Sequence, residues 1–169
     1  MVRDFVLGLV AMIALLVAVL WSYLRLGLAD VPADVNPSAI ENRLTSLTVH
    51  AAVRRNAPKT ENPFPPTDEN LIAGGILYVN GCAGCHGQPA KSPGEDVPEY
   101  SRPPKFARDA SPYSESEMFW VIKHGVRRTG MSAYGPFYSE KEMWNLAAFV
   151  KHMQNLSPAV LQGIQPKKP

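Results

Sequence analysis

Residues 81–87 have the sequence GCAGCHG and contain the two cysteines of the chain, Cys82 and Cys85, followed directly by His86. A disulfide between cysteines only three positions apart would close a very short loop and would stabilise little. The spacing therefore indicates a redox dithiol, part of a metal site, or the covalent attachment of a haem.

The C-x-x-C-H pattern favours haem attachment over the other two explanations. Thiols a helical turn apart can each add to one of two vinyl groups on the same haem edge, and the histidine that follows can then offer a nitrogen to the iron. Gly84 and Gly87 leave room for the porphyrin beside the backbone. A thioredoxin-like site requires a strand–helix context, which the sequence does not show. A zinc site requires four ligands, and the sequence has no second pair of cysteines. We predict one haem c, covalently attached through Cys82 and Cys85, with His86 as an axial ligand of the iron.

The second axial ligand decides whether the iron is suited to electron transfer or open to small ligands. Met131 lies in a glycine-flanked loop, residues 129–135, where a methionine has little reason to be part of a core. Its thioether is the predicted second ligand, and His124 is the alternative. The weaker candidates are two other histidines and the other methionines, of which three have the helical spacing of core residues: His50, His152, Met1, Met12, Met118, Met143 and Met153.

Residues 67–157 have helical patterning and contain no segment of strand periodicity. Thr67 can cap a helix that ends just before the cysteine motif. Ser114 with Glu117, and Ser139 with Glu142, form capping-box patterns ahead of two further helices. We therefore predict a small all-α domain over residues 67–157. A disordered tail is expected over residues 158–169, because a serine–proline pair stops the last helix.

Residues 5–24 form an apolar run without a charged side chain. Twenty helical residues rise roughly 30 Å, which is the thickness of the hydrocarbon core of a bilayer. Trp21 and Tyr23, at the far end, suit the membrane–water boundary. We predict a single transmembrane anchor over residues 1–29. The alternative is a cleaved signal peptide, with Gly27 and Ala29 at a small-x-small cleavage site, although the apolar part of a signal is usually shorter.

Residues 30–66 are rich in proline and are predicted to be a tether between the anchor and the helical domain. Within the tether, residues 38–55 can form one helix, because Ile40, Leu44, Leu47 and Ala51 recur at helical spacing. Two explanations remain open for this segment. It is either a loosely ordered linker, or a helix that packs on a partner subunit or on the membrane surface.

From Asp68 to Leu156 the chain resembles the class I c-type cytochromes, and in particular the single-haem domains that serve respiratory oxidases and alcohol or sugar dehydrogenases. The resemblance covers about half of the chain. It rests on four features: Gly74-x-x-x-Tyr78 before the motif, Cys-x-x-Cys-His-Gly at 82–87, the loop with Gly125 and Gly130-Met131, and the aromatic-rich final helix.

The resemblance implies two further contacts. Gly74 and Tyr78 are expected to pack against Leu146 or Phe149, where the first and last helices of the domain cross. A carbonyl near Pro103 and Pro104 is expected to accept the free imidazole N–H of His86, which fixes the ring and raises its basicity. In one respect the chain departs from the pattern, because Ser132 stands where relatives often have a proline after the axial methionine.

The predicted function is electron transfer on the outer face of a membrane, as part of a respiratory chain or complex, and not catalysis. Haem is attached covalently outside the cytoplasm, which places the domain on the periplasmic side of a bacterial inner membrane. The expected partners are redox proteins in or at the membrane. The net charge is only +2, with acidic and basic residues interleaved, so we expect no nucleic-acid partner. As an electron carrier, the chain is expected to have no small-molecule substrate.

Two groups of basic residues are candidates for docking an acidic partner. Lys123, Arg127 and Arg128 lie beside the Met131 loop, whereas Arg102, Lys105 and Arg108 lie between the cysteine motif and the next predicted helix. The alternative function is a haem peroxidase, or a gas or redox sensor, with a labile sixth ligand. A distal acid–base pair is not evident near the predicted sulfur ligand, which makes peroxidase chemistry the weaker explanation.

Overall fold

A computed structural model describes residues 1–29, 31–32, 35–89 and 102–165 of the chain. The described residues form seven α-helices and one short 3-10 helix, and they include no strand. The predicted all-α class is thus confirmed for these residues. The chain divides into two compact units, Met1–Pro37 and Ser38–Pro169.

The first unit contains one long helix, α1 (Val2–Arg25). Its most apolar 18-residue window has a mean hydropathy of 2.7, and none of its residues is buried within the structure. The Arg25 guanidinium lies 5.0 Å from the centre of the Trp21 ring, so a cation–π pair marks the end of the apolar run. Helix α1 is long and apolar enough to cross a membrane. A signal sequence has the same properties near an N-terminus, so α1 is compatible with both predicted roles.

The second unit begins with helix α2 (Ala39–Asn56), which Ser38 caps by accepting a hydrogen bond from the backbone N–H of Glu41 at 3.2 Å. The C-terminal half of α2 packs on the helical domain. There Val53 is only 1% exposed, and the His50 ring lies 5.2 Å from the Tyr113 ring. The compact unit therefore includes α2 and extends from Ser38, beyond the helical domain predicted over residues 67–157. Prolines separate α2 from the next helix, but they do not prevent the apolar side chains of α2 from packing on the domain.

The N-terminal half of α2 carries the apolar stripe that the sequence pattern predicts. Ile40, Leu44 and Leu47 lie on this stripe, and each is more than half exposed. The stripe therefore does not contribute to the core of the second unit.

The core of the second unit is built where helix α3 (Asp68–Gly81) crosses helix α6 (Glu140–His152). A β-carbon on Gly74 would overlap the backbone carbonyl of Asn145, so only glycine allows the two helices to approach this closely. Four residues along α3, the buried Tyr78 ring lies 5.5 Å from that of Phe149. The crossing thus contains the contacts that the resemblance implies.

Helix α4 (Ala83–His86) follows α3 after a single residue, and helix α5 (Glu115–His124) packs on α6. Both predicted capping boxes are present, at the start of α5 and at the start of α6. The rings of Phe119 on α5 and Trp144 on α6 stack 4.3 Å apart. This ring contact is part of the packing of α5 on α6.

The predicted disordered tail is wrong for the part of it that the structure describes. After the 3-10 helix Met153–Asn155, residues Pro158–Gly163 form helix α7, and Val160 and Ile164 are buried against the core. Ser157 caps α7, and Pro158 occupies its first turn, where proline favours a helix because the missing N–H is not needed. The proline that was expected to stop the last helix therefore begins another one. Residues 166–169 lie outside the described residues.

Candidate haem-binding site

The two cysteines lie on one helical turn. Backbone N–H groups of Cys85 and His86 both donate to the carbonyl oxygen of Cys82, at 3.1 and 2.9 Å. Both thiols are free; Cys82 is half-buried and Cys85 is exposed. Burial, with a smaller effect of Cys85, raises the pKa of the Cys82 thiol to about 11. A β-carbon on Gly84 would meet no atom within 4 Å, so the turn is open beside the thiols.

His86 is held in one orientation from two directions. Its Nδ1 lies 2.9 Å from the carbonyl oxygen of Pro104, which is the contact that the resemblance implies. Since a carbonyl can only accept, Nδ1 carries the proton, and the lone pair is on Nε2. The Phe106 ring stacks on the imidazole at 4.8 Å with an angle of 15° between the planes. Burial, and less strongly the charge of Lys105, lower the pKa of His86, while the Pro104 hydrogen bond opposes them. The imidazole is thus prepared as a neutral ligand.

Tyr78 fixes the end of α4 against α3. Its hydroxyl donates a 2.8 Å hydrogen bond to the carbonyl oxygen of Gly87. Burial raises the pKa of Tyr78, so the hydroxyl keeps its proton and remains a donor. Gly87 has φ +87°, a conformation that side-chain-bearing residues rarely adopt. Tyr78 and Gly87, which the sequence analysis names separately, are thus bonded to each other where the chain leaves the motif.

The Met131 loop has a defined backbone. The N–H of Val126 donates to the carbonyl oxygen of Met131 at 3.0 Å, and the N–H of Met131 donates to Oγ1 of Thr129 at 3.1 Å. Gly125, with φ +66°, lies directly against the backbone of residues 131–133. Its lack of a side chain is required there, because a β-carbon would lie 2.6 Å from the Met131 carbonyl oxygen. Met131 itself is half-buried.

Tyr134 connects the Met131 loop to the cysteine motif. Its hydroxyl donates a 3.1 Å hydrogen bond to the carbonyl oxygen of Gly81, the residue before Cys82. The Tyr138 ring stacks on that of Tyr134 at 5.3 Å. Burial, followed by the influence of Cys82, raises the pKa of Tyr134. The sequence analysis missed both tyrosines, although their position just after the glycine–methionine loop was a usable signal.

The alternative ligands have other contacts in the described structure. His124 is exposed at the end of α5, with its ring 5.0 Å from that of Trp120. His152 lies 3.5 Å from the Glu115 carboxylate. The three methionines with core spacing are all buried in the apolar core, namely Met118, Met143 and Met153. Met131 is thus the half-accessible methionine of the second unit.

The donor set fits a covalently attached haem better than a metal ion bound by protein alone. Two free thiols lie on one turn, a neutral imidazole has its Nε2 lone pair available, and a thioether belongs to a loop that is tied to the same turn. Among the described residues, no group of three or more His, Cys, Asp and Glu side chains could hold a metal ion. When bound, the haem supplies an iron that takes up and releases one electron.

The predicted docking residues have different environments. Arg127 and Arg128 are exposed, whereas the Lys123 ammonium forms a 3.0 Å ion pair with Glu140. In the second group Arg102 is exposed and Arg108 pairs with Asp109 at 2.8 Å. Lys105, the third candidate of that group, is not on the surface. It is 6% exposed, because its stem packs beside Gly87 and its ammonium bonds to a backbone carbonyl.

Comparison with known families assigns the region around this site. Residues 69–150, just under half of the chain, match the family model described as cytochrome c oxidase, cbb3-type, subunit III. No curated protein and no solved structure matches the chain. The family supports haem-based electron transfer and implies a haem c. The part of the chain that holds the two thiols, His86 and the Met131 loop is therefore a class I c-type cytochrome domain.

Proposed function

We propose that the chain is an electron carrier in which one haem, bound covalently through Cys82 and Cys85, has His86 and Met131 as axial ligands. The observation that carries the proposal is the hydrogen bond from Tyr134 to the carbonyl oxygen of Gly81, at 3.1 Å. It ties the Met131 loop to the residue before the first thiol, across 53 positions of sequence. The thioether of Met131, in that loop, is therefore available as the second axial ligand of the iron.

The residues of the chain have separate tasks in this function. Pro104 holds the imidazole through Nδ1, so that Nε2 keeps its direction in both oxidation states. His86 and Met131 would together occupy both axial positions of the haem iron, so the haem would supply one-electron transfer without a bond being formed or broken. Histidine–methionine ligation raises the reduction potential of a haem, which suits the late steps of a respiratory chain.

The proposed location is the bacterial inner membrane, with α1 as a single-pass anchor and the haem domain on the periplasmic side. The length and hydropathy of α1 support anchoring, and the covalent attachment of haem outside the cytoplasm supports the orientation. The matched family model describes a subunit of a cytochrome oxidase. We infer that this chain also serves a membrane-bound respiratory complex, with redox proteins as its partners. The exposed Arg127 and Arg128 would meet an acidic surface on such a partner.

A cycling experiment tests the proposal on the full, haem-loaded chain in detergent. Ascorbate should reduce the protein and ferricyanide should oxidise it again, through many cycles with unchanged optical spectra in each state. Added hydrogen peroxide should be consumed no faster than by a mature six-coordinate cytochrome at the same haem concentration. Sustained peroxide turnover would contradict an electron carrier and support the peroxidase alternative.

A further inference from the structure

Three consecutive residues, Pro104, Lys105 and Phe106, surround the turn that carries His86. Pro104 accepts from the imidazole Nδ1, and Phe106 stacks on the ring. Lys105 lies between them, and its Nζ donates a 2.9 Å hydrogen bond to the carbonyl oxygen of Cys85. The first and third residues thus hold the side chain of His86, while the second holds the backbone just before it.

Lys105 is buried, and no carboxylate among the residues that the structure describes forms an ion pair with it. The residue is 6% exposed. Placing an unpaired charge in a protein interior is costly, and an apolar side chain of similar length would avoid the cost. A lysine at this position therefore needs a reason other than stability.

We propose that Lys105 is a positioning and charge-supplying residue that raises the reduction potential of the haem bound at His86. The inference rests on the proposed function, since it needs His86 as a ligand of the iron. Ferric haem carries one more positive charge than ferrous haem. A fixed cation beside the ligand turn therefore disfavours the ferric state more, and burial keeps salt from screening this effect.

The test is a redox titration of the full, haem-loaded chain and of three Lys105 variants. Lys105→Met removes the charge and the hydrogen bond, whereas Lys105→Gln removes the charge and keeps a hydrogen-bond donor. Both should lower the equilibrium constant for reduction on the order of tenfold, which is about 59 mV for one electron. Lys105→Arg keeps the charge and should restore most of the potential. Lys141→Met, which removes an exposed cation on α6, is the matched control and should leave the potential unchanged.

Stability and salt dependence separate this effect from a purely structural one. Lys105→Met should unfold thermally at no lower a temperature than the parent, because it buries an apolar side chain in place of a charge. The difference in potential between the parent and Lys105→Gln should persist at high ionic strength.

Three outcomes are decisive. An unchanged potential in Lys105→Met and Lys105→Gln, with the parent spectrum intact, overturns the role of Lys105 and leaves the proposed function standing. An equally low potential in Lys105→Arg also overturns it, because the shape of the side chain and not its charge would then matter. Carbon monoxide binding by the reduced parent protein would instead overturn the proposed function.

Discussion

The imidazole Nδ1 of His86 lies 2.9 Å from the carbonyl oxygen of Pro104, a residue 18 positions later in the chain. This hydrogen bond orients the ring independently of the haem. The proton on Nδ1 leaves only Nε2 as a ligand atom. A backbone acceptor cannot titrate or change rotamer. The protein thus fixes the direction of its axial ligand with the most rigid kind of partner available.

The packing of α2 on the helical domain can be tested by comparing two apolar truncations. Val53→Ala should lower the free energy of unfolding by about 2 kcal/mol, because the side chain is 1% exposed and its loss leaves a cavity. Leu47→Ala removes more atoms, but from a side chain that is 58% exposed, and it should change stability by less than about 0.5 kcal/mol. Denaturant unfolding of the haem-loaded chain measures both. Equal effects would show that α2 does not pack as described.

The role of α7 can be tested in the same way. Val160 is fully buried, so Val160→Ala should destabilise the unit by about 2 kcal/mol. Gln162→Ala, an exposed position on the same helix, is the control and should have almost no effect. If thermal unfolding showed no difference between the two variants, the segment after Pro158 would be a tail, as first expected from the sequence.

The cap of α6 predicts a pH dependence of stability. Hydrogen bonds from the side chain and then the backbone of Ser139 lower the pKa of Glu142 below its usual value. A group whose pKa is lowered by folding stabilises the protein above its ordinary pKa, and this contribution is lost as the pH falls through the lowered value. Between about pH 6 and pH 3 the free energy of unfolding should therefore fall more for the parent than for Glu142→Gln. Parallel pH profiles would contradict the cap.

Charge reversal tests the proposed docking surface without knowledge of the partner. Arg127→Glu combined with Arg128→Glu should slow electron exchange with the anionic reagent ferrocyanide and accelerate it with a cationic ruthenium ammine, with both effects weaker at high salt. Arg43→Glu, an exposed change on α2, is the control. Stopped-flow rates that respond equally to the two variants would place the haem edge away from Arg127 and Arg128.

The chemistry of the site was easier to predict from sequence than its surroundings. Cys82, Cys85 and His86 lie within five consecutive positions, so the local C-x-x-C-H pattern favours haem attachment. The capping boxes are local as well, and they place the starts of α5 and α6 correctly. In both cases the residues that determine the structure lie within a few positions of each other.

The contacts that sequence analysis missed all join distant segments. Tyr134 reaches Gly81, and Lys105 reaches Cys85 with its charge inside the protein, where surface exposure is the usual expectation. Helix α7 was missed for a different reason. Pro158 was taken only as the end of one helix, although proline is equally suited to the first turn of the next.

The most direct test of the account is the optical spectrum of the oxidised, haem-loaded full chain, compared with that of Met131→Ala and His124→Ala. The parent and His124→Ala should show a thioether-to-iron charge-transfer band and should bind no carbon monoxide when reduced. Met131→Ala should lose the band and bind carbon monoxide promptly. A parent spectrum without the band, or a band that survives in Met131→Ala, would contradict the assignment of His86 and Met131 as the axial ligands.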